Sequence, residues 1–380
     1  MALLSPPSLR EEALEAYRAL PAPGPAPGRF WKIDVGRIDA ERIPVVAAET
    51  TLSLDPSLEA GGVIVCDLPT ALREHADLVA AAQTDALDWR SHKFAALNVA
   101  LRNAGMFVYI PDGLVVSNPI EIRRRAGAGA VFPYTLVVAR PGSDAIVVSR
   151  LEGGDDETLV SDVVEVFVAP SARLRYTAIQ ELDPRARAFA IKRGKLEQDA
   201  ALDWAVAELG SGLSVGEVYS ALEGRGAETT ISGVFFADGA QHVDLKSEVD
   251  HRVGDSRSET IFKTAATGDG QARYLGNIRI HPHATGSDAT LRDDALLLSA
   301  SAHIDSIPAL EIASNDVRAF HGATVGAIRE DEIFYAMTRG LERREAERMI
   351  ALGFFEPAIN RFPSDQVRDA LRDALARKIG

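Results

Sequence analysis

The feature that most constrains the fold of this chain is a long series of short β-rich segments that lack connecting helices. From Met106 to about Ile328, segments such as Phe107–Ile110 and Val163–Val168 alternate with Gly, Asp, Ser, Pro and Asn, which favour turns. Strands of a doubly wound parallel sheet need crossover helices of roughly a dozen residues or more. Stretches of that kind are missing between most of the segments, so stacked coils of short strands fit better than a doubly wound sheet.

Spacing near the end of this series favours a solenoid. Ile278, Leu297 and Val317 recur at intervals on the order of 20 residues, a length typical of one solenoid coil. A β-sandwich or a β-barrel is the alternative that the pattern leaves open. We therefore predict a mainly β protein with a solenoid core over residues 106–328.

Helical periodicity is present on both sides of this core. Residues 1–105 contain predicted helices over 1–20 and 70–103, and the Pro/Gly-rich segment 21–28 is a predicted linker. Residues 329–380 are predicted to be helical, with Ser364 as the N-cap of a last amphipathic helix. The apolar side of that helix packs on its own domain or binds a partner, and the sequence leaves both open.

Composition excludes several classes of function. The 380 residues carry a net charge of −14, which argues against nucleic acid as the main partner, because phosphate binding needs a basic surface. The single cysteine, Cys66, excludes an intrachain disulfide and a multi-thiolate metal site. No apolar stretch approaches the ~20 residues of a membrane helix, and the first residues turn acidic without a signal-peptide pattern. We expect a soluble cytoplasmic protein without a membrane partner.

Single motifs do not point to an enzyme. Gly212–Gly216 matches the nucleophile-elbow pattern around Ser214, but that motif needs a preceding strand, and residues 200–208 resemble a helix or a mixed segment. A chance match is the simpler explanation. Glycine-rich segments lack the Lys-Ser/Thr of a phosphate-binding loop, so we expect no nucleotide to bind this chain.

The histidines are candidate ligands without a clear partner. His281 and His283 would share one face of a strand, as a metal pair requires, although surface histidines are the more common outcome. His321 is followed by small residues, beginning with Gly322, so another chain or a bulky ligand could approach its imidazole. A purely structural histidine is the alternative. The residues alone name no reaction.

Seven blocks of the C-terminal third form an ordered set: Asn277–Ile280, Asp294–Ser299, Ile307–Ile312, Asn315–Val317, His321–Gly326, Ile333–Tyr335 and Arg339–Gly340. This set resembles the signature of the SufB/SufD family, the subunits of the SUF iron–sulfur cluster assembly machinery. Weaker similarity extends upstream through Tyr109–Gly113 and Phe94–Asn98 to Trp31 and Lys32. The order and spacing of so many blocks are far more specific than any single motif.

The resemblance implies a right-handed parallel β-helix flanked by helical regions. Members of the family pair through the β-helix and bind a separate ABC-type ATPase, SufC, through the C-terminal helices. We therefore expect a scaffold that is not an enzyme, paired with a SufB-like subunit or a second copy of itself. Phe334, Tyr335, Arg339 and Gly340 are the expected ATPase-docking residues, with core packing as the alternative for Phe334 and Tyr335.

Two positions make the chain resemble SufD more than SufB. SufB-like chains have a glutamate where this chain has Gly322, and a cysteine where it has Ala302. The resemblance implies that His321 is at most one ligand of a transient iron–sulfur cluster shared with a partner chain. A homodimeric relative serving both roles is the main alternative. A β-helix carbohydrate lyase is less favoured, because no strand face gathers acidic and basic residues.

Overall fold

The computed structural model describes residues 4–21, 40–82, 86–155 and 158–380. The predicted linker lies almost wholly outside these residues, as do Trp31 and Lys32. About 46% of the chain is strand and 24% is helix, and the strands form a β-solenoid of about eight turns with helices towards both termini. The predicted fold class is confirmed.

The helices are α1 (Pro7–Ala19), α2 (Pro56–Ala60), α3 (Leu68–Glu74), α4 (Ala76–Ala82), α5 (Lys93–Leu101), α6 (Glu330–Thr338), α7 (Arg343–Ile359) and α8 (Asp365–Ile379). The first strands are β1 (Glu49–Ser53), β2 (Ile64–Asp67), β3 (Ala104–Ile110), β4 (Ile120–Ala126), β5 (Ala130–Val131), β6 (Pro133–Ala139), β7 (Asp144–Gly153), β8 (Leu159–Val168) and β9 (Arg173–Leu182). The remaining strands are β10 (Arg187–Leu196), β11 (Ala201–Glu208), β12 (Leu213–Leu222), β13 (Glu228–Ala237), β14 (His242–His251), β15 (Arg257–Ala266), β16 (Gln271–Ile280), β17 (Asp288–Leu297), β18 (His303–Ile312) and β19 (Arg318–Ala327).

Two sheets form the walls of the solenoid. In the described residues, one sheet has the order β1-β4-β7-β9-β11-β13-β15-β17-β19 and the other β18-β16-β14-β12-β10-β8-β6-β3-β2. From β3 onward, neighbouring strands within each sheet are parallel. Gln271 pairs with His303, and Asp288 pairs with Arg318, so one coil takes roughly 30 residues. The predicted spacing of about 20 residues is not the coil repeat: Ile278 and Leu297 lie on strands of different sheets, whereas Val317 precedes β19, in the same sheet as Leu297.

Alternate residues of each strand face the lumen, where the main core lies. The lumen of the later coils is filled by aromatic rings, and the centroids of Phe262 and Tyr274 are 4.3 Å apart. Phe235 stacks on Phe262, with ring centroids 5.2 Å apart. These interiors need no helix to cover them, because the two sheets cover each other.

Helices cover the outer faces of the two sheets. On the β3–β12 side, Phe94 of α5 stacks on Phe189, with ring centroids 3.5 Å apart. The Asn98 amide of the same helix donates to the carbonyl oxygens of Pro133 and Ser161, at 2.7 and 2.6 Å. On the opposite sheet, α7 and α8 pack over β11, β13 and β15, and Phe355 of α7 contacts Phe236. The C-terminal helices are therefore part of the folded body.

The N-terminal region differs from its prediction in two ways. The single helix predicted over 70–103 is divided into α3, α4 and α5, and residues 49–53 and 64–67 are strands. These strands, β1 and β2, pair antiparallel with β4 and β3. The division into three regions at residues 105 and 328 stays a prediction.

The two ends of the solenoid are unlike each other. At the N-terminal end, β1 and β2 cover the outermost edges of the sheets with antiparallel strands. At the C-terminal end, β18 and β19 are the outermost strands, and neither has a further partner within the described chain. None of the helices in the described ranges combines the length and apolar character of a membrane span.

Candidate functional site

His321 lies on the outermost strand at the open end of the solenoid. It pairs with Leu291 of β17, whose side chain is buried in the lumen, so the two residues share the lumen face. Because no coil follows β19, His321 remains exposed. Its imidazole makes no hydrogen bond to the described residues, and it is open to a group from outside the chain.

Small residues surround His321 on the edge strand. At Gly322 an added Cβ would meet only the Phe320 ring, at 3.5 Å, and at Gly326 it would meet no described atom within 4 Å. Ala302 lies in the turn before β18 and packs against the end of the lumen core. The sequence predicted that another chain or a bulky ligand could approach the His321 imidazole. The structure agrees, because the imidazole is accessible on an unpaired edge strand.

The only thiol lies at the other end of the molecule. Cys66 is on β2, and β2 and β18 are the two outermost strands of the same sheet. Burial, together with the nearby Asp67 carboxylate, raises the pKa of the Cys66 thiol, which disfavours the thiolate that binds metals. Cys66 and His321 cannot serve one site in a single chain.

Phe334 and Tyr335 of α6 are exposed to solvent, by 69% and 62% respectively. The core-packing alternative for these two residues is therefore wrong, because Ile333 and Ala336 form the buried side of α6. Arg339 reaches back to Tyr335, and its guanidinium donates to the Tyr335 hydroxyl at 3.2 Å.

Gly340 has a different position in this segment. It follows the last residues of α6 with a φ of +95°, a left-handed conformation that favours glycine and turns the chain towards α7. Gly340 would contribute to a docking surface through the shape of this turn. The side chains of Phe334, Tyr335 and Arg339 would provide the contacts.

An apolar groove that sequence reasoning missed connects the edge strand to the C-terminal helices. The groove has a volume of about 970 Å³ and lies between β19, α6 and α7. Val325 and Met349 are exposed beside it, and Tyr335 and Arg339 line one side. It joins residues distant in sequence, so only the fold of α7 over the solenoid brings it together.

Ser214, the candidate nucleophile of the sequence, lies in an environment that indicates a structural role. Ser214 is buried on β12, faces the lumen and donates to the Glu208 carboxylate at 3.0 Å. Residues 201–208 form strand β11, and the helical interpretation of this segment is wrong. The residues after Ser214 continue as a strand, so the strand–turn–helix of a nucleophile elbow is absent at this position.

The other histidines do not form a metal pair. β16 ends at Ile280, so His281 and His283 lie in a turn, and His281 contacts the Asp250 carboxylate at 2.7 Å. His251 is buried between two serine hydroxyls, and burial lowers its pKa to about 4. Within the described ranges, no group of three or more His, Cys, Asp and Glu side chains could hold a metal ion.

Comparison with known proteins agrees with this architecture. Residues 122–354 match the family model for the SUF system FeS cluster assembly SufBD core domain, and residues 10–122 match the SufBD protein N-terminal region. The core match alone spans more than half of the chain, and it ends within α7.

Curated relatives carry both family names. The Bacillus subtilis iron–sulfur cluster assembly protein SufD is 29% identical over 335 residues, which are 86% of this chain and 76% of the relative. The SufB protein of the same organism is 28% identical over 320 residues, 82% of this chain and 68% of the relative. An iron–sulfur cluster assembly SufBD family protein of Staphylococcus epidermidis gives the same values as SufB. This chain is a member of the SufBD family of the SUF iron–sulfur cluster assembly system.

Proposed function

We propose that this chain is a SufD-like scaffold subunit that pairs with a SufB-like chain and binds a SufC-like ATPase. The observation that carries the proposal is the open end, where two ten-residue strands present unpaired edges and His321. Unpaired edges are a ready template for a second chain, and natural proteins cover or blunt them when they must stay alone. The other end of the same solenoid is covered by β1 and β2.

Residue differences favour SufD over SufB, because overall identity does not separate the two. The chain is 28% and 29% identical to the two Bacillus proteins. Ala302 and Gly322 lack the thiol and the carboxylate expected of a SufB-like chain. Both positions belong to the last coil, beside the edge that a partner would meet.

His321 would then contribute one ligand to a cluster that is cargo of the complex. Nascent iron–sulfur clusters favour thiolate ligands, and imidazole replaces thiolate in some sites. This chain has no thiol near the open end, so a partner's cysteine would complete the site. A mixed site of this kind suits a scaffold that must release its cluster.

The C-terminal helices would provide the ATPase-docking surface. Phe334 and Tyr335 leave large apolar areas in water, and exposed aromatic side chains of this kind are common anchors of protein interfaces. The adjoining groove continues from α6 to β19. An ATPase bound there would sit next to the edge strand and could transmit its movement to the open end.

The decisive experiment co-expresses the chain with a SufB-like subunit and a SufC-like ATPase and compares two variants. In His321→Ala we expect the three-chain complex to assemble and the yield of iron–sulfur cluster, read from its absorption spectrum, to fall at least about fivefold. In Phe334→Ala/Tyr335→Ala we expect ATPase capture to weaken by about tenfold or more, equivalent to ~1.4 kcal/mol.

Each variant is the control for the other, because the affected side chains are exposed in separate parts of the chain. An unchanged cluster yield in His321→Ala would exclude the ligand role. ATPase capture that survives in the double variant would exclude α6 as the docking surface. Removing the whole segment after Ile328 is a poorer test, because α7 and α8 cover apolar side chains of the solenoid.

A homodimeric SufB/SufD-type relative is the second candidate. The same open edges that favour a partner would accept a second copy of this chain. The mass of the purified chain, measured alone and then with a SufB-like subunit, distinguishes the two. Family membership leaves no observation in favour of the carbohydrate lyase.

A further inference from the structure

Two neighbouring carboxylates of β17 hold the last two strands of the solenoid. Asp293 faces the lumen, where it is fully buried, and Ser306 of β18 donates a hydrogen bond to it. Asp294 faces outward, and the Thr324 hydroxyl of β19 donates to it at 2.7 Å. Each strand at the open end is therefore tied to β17, one from inside the lumen and one from outside.

The surroundings of the two carboxylates differ strongly. Asp294 is compensated by the Lys263 ammonium at 2.7 Å and the Arg292 guanidinium at 2.9 Å. These hydrogen bonds outweigh the effect of burial and lower the pKa of Asp294. Asp293 has only hydroxyl partners, Ser306 and, at 3.5 Å, Thr264. Burial, reinforced by the neighbouring Asp294 charge, raises the pKa of Asp293 to about 7.

Few other titratable groups face Asp293. On β15 the nearest charge is Lys263, which is bound to Asp294. On β16 the Tyr274 hydroxyl is held by Ser247 at 2.6 Å. β19 places Ala323 directly opposite Asp293, and its lumen-facing titratable side chain is His321, opposite Leu291.

We propose that Asp293 is a positioning residue of the open end, whose carboxyl, through Ser306, sets how firmly β18 is held. A neutral carboxyl satisfies its hydrogen bonds in the lumen at little cost. An ionised carboxyl leaves a charge there without a cation, whereas local opening of the edge would hydrate it. The further consequence, that Asp293 controls the edge a partner meets, rests on the proposed function; the effect on β18 does not.

The direction of the pH effect follows from this difference. In the opened edge, Asp293 returns to an ordinary aspartate pKa of about 3.9. Between about pH 4 and pH 7 the closed edge therefore keeps a proton that the opened edge has lost. The advantage of the closed form falls as the pH rises through this window and stays constant above it.

Hydrogen exchange of the full chain tests the proposal without any partner. After correction for intrinsic exchange rates, we expect the protection of residues 303–312 to fall by up to about tenfold per pH unit between pH 5 and 7, then to level off. In Asp293→Asn the profile should be flat. In the matched control Asp294→Asn the slope should remain, with its upper end at a lower pH, because the neighbouring negative charge that helps to raise the pKa of Asp293 is gone.

A flat profile in the natural chain, or a slope that survives in Asp293→Asn, would overturn the proposal. Ser306→Ala gives a second test, since losing this donor should raise the pKa of Asp293 further and extend the slope to higher pH. If the upper end of the slope does not move, the hydrogen bond from Ser306 does not couple Asp293 to β18. Failure to find a SufB-like partner would refute the proposed function and leave these exchange results unaffected.

Discussion

Charged side chains line the lumen around β10 and β11, beside the aromatic rings of Tyr176 and Trp204. The Lys192 and Glu208 side chains are only 3% and 2% exposed, and their charged atoms are 3.6 Å apart. Glu208 also accepts hydrogen bonds from Gln180, at 3.1 Å, and from Ser214, at 3.0 Å. Burial raises the pKa of Asp162, which faces the same part of the lumen. In this part of the lumen, hydrogen bonds and ion pairs among these side chains replace the hydrogen bonds that water would make to them.

Removing one member of such a pair should cost far more than removing an exposed ion pair. We expect Lys192→Met to lower the free energy of unfolding by about 3–5 kcal/mol, because Glu208 would keep a buried charge without its cation. Adding Glu208→Gln should restore part of the loss. Urea unfolding of the single and double variants measures both effects.

Lys195→Met is the matched control for this prediction. Lys195 is on the same strand, faces outward and pairs with Glu223 in a partly exposed ion pair, so its loss should cost about 1 kcal/mol or less. Equal losses for Lys192→Met and Lys195→Met would show that the lumen pair has no special role in stability.

At the residue level, predictions that rested on an ordered set of residues were correct, whereas a prediction that rested on a single residue was wrong. The blocks around His321 pointed to the correct family, and the exposure of His321 agrees with the sequence argument from its small neighbours. Gly105, by contrast, directly follows the helical pattern of residues 70–103, where a glycine commonly ends a helix, yet it lies in β3. An added Cβ there would come within 2.7 Å of Leu68, so tertiary packing explains this glycine.

At the scale of elements, the largely buried ammonium of Lys378 adds polar contacts to the apolar packing between the last helix and the solenoid. Lys378 of α8 donates to the Leu209 carbonyl oxygen at 2.7 Å and to the Gln241 side chain at 2.9 Å, and it pairs with Asp238 at 2.5 Å. The sequence left open whether the apolar side of α8 packs on its own domain or on a partner. The structure shows that it packs on the solenoid.

Loss of this ammonium should loosen α8 more than the rest of the chain. We expect Lys378→Met to destabilise the fold by about 1.5–3 kcal/mol, because several charge-assisted hydrogen bonds are lost and Asp238 is left without its cation. Hydrogen exchange in residues 365–379 should accelerate first. The neighbouring Arg377 makes only an exposed contact with Glu181, at 3.7 Å, so Arg377→Met should leave exchange unchanged. Similar acceleration in both variants would contradict the assignment.

Elements in the middle of the solenoid were the hardest to predict. In β14, Val243, Leu245 and Val249 face the lumen, while Asp244 and Lys246 face outward, and a prediction from continuous apolar segments misses this alternation. β18 contains Pro308, which argues against a central strand but is compatible with an edge. Residues 163–168, which were predicted, are apolar on both faces except at Glu165, because α5 covers the outer face of β8.

At the scale of the whole molecule, the two ends of the solenoid differ: short antiparallel strands end the sheets on one side, and two ten-residue parallel strands end them on the other. The sequence predicted coils but gave no sign of which end is covered. The covering strands β1 and β2 lie in a region whose periodicity indicated helices, and their pairing with β4 and β3 depends on contacts distant in sequence. The asymmetry is therefore a property of the tertiary fold.

Blocking the exposed edges of β18 and β19 should weaken pairing with a second chain and leave the single chain folded. Ile312 of β18 and Phe320 of β19 are exposed, by 44% and 62%, and lysine at such positions blunts an edge against further strands. We expect Ile312→Lys/Phe320→Lys to weaken association with a SufB-like chain, or with a second copy, at least about tenfold, which light scattering after size exclusion would measure. Leu52→Lys, on the covering strand β1, is the control and should associate normally. If the double variant still pairs with full affinity, the chain pairs through another surface, and the edges of β18 and β19 have no role in association.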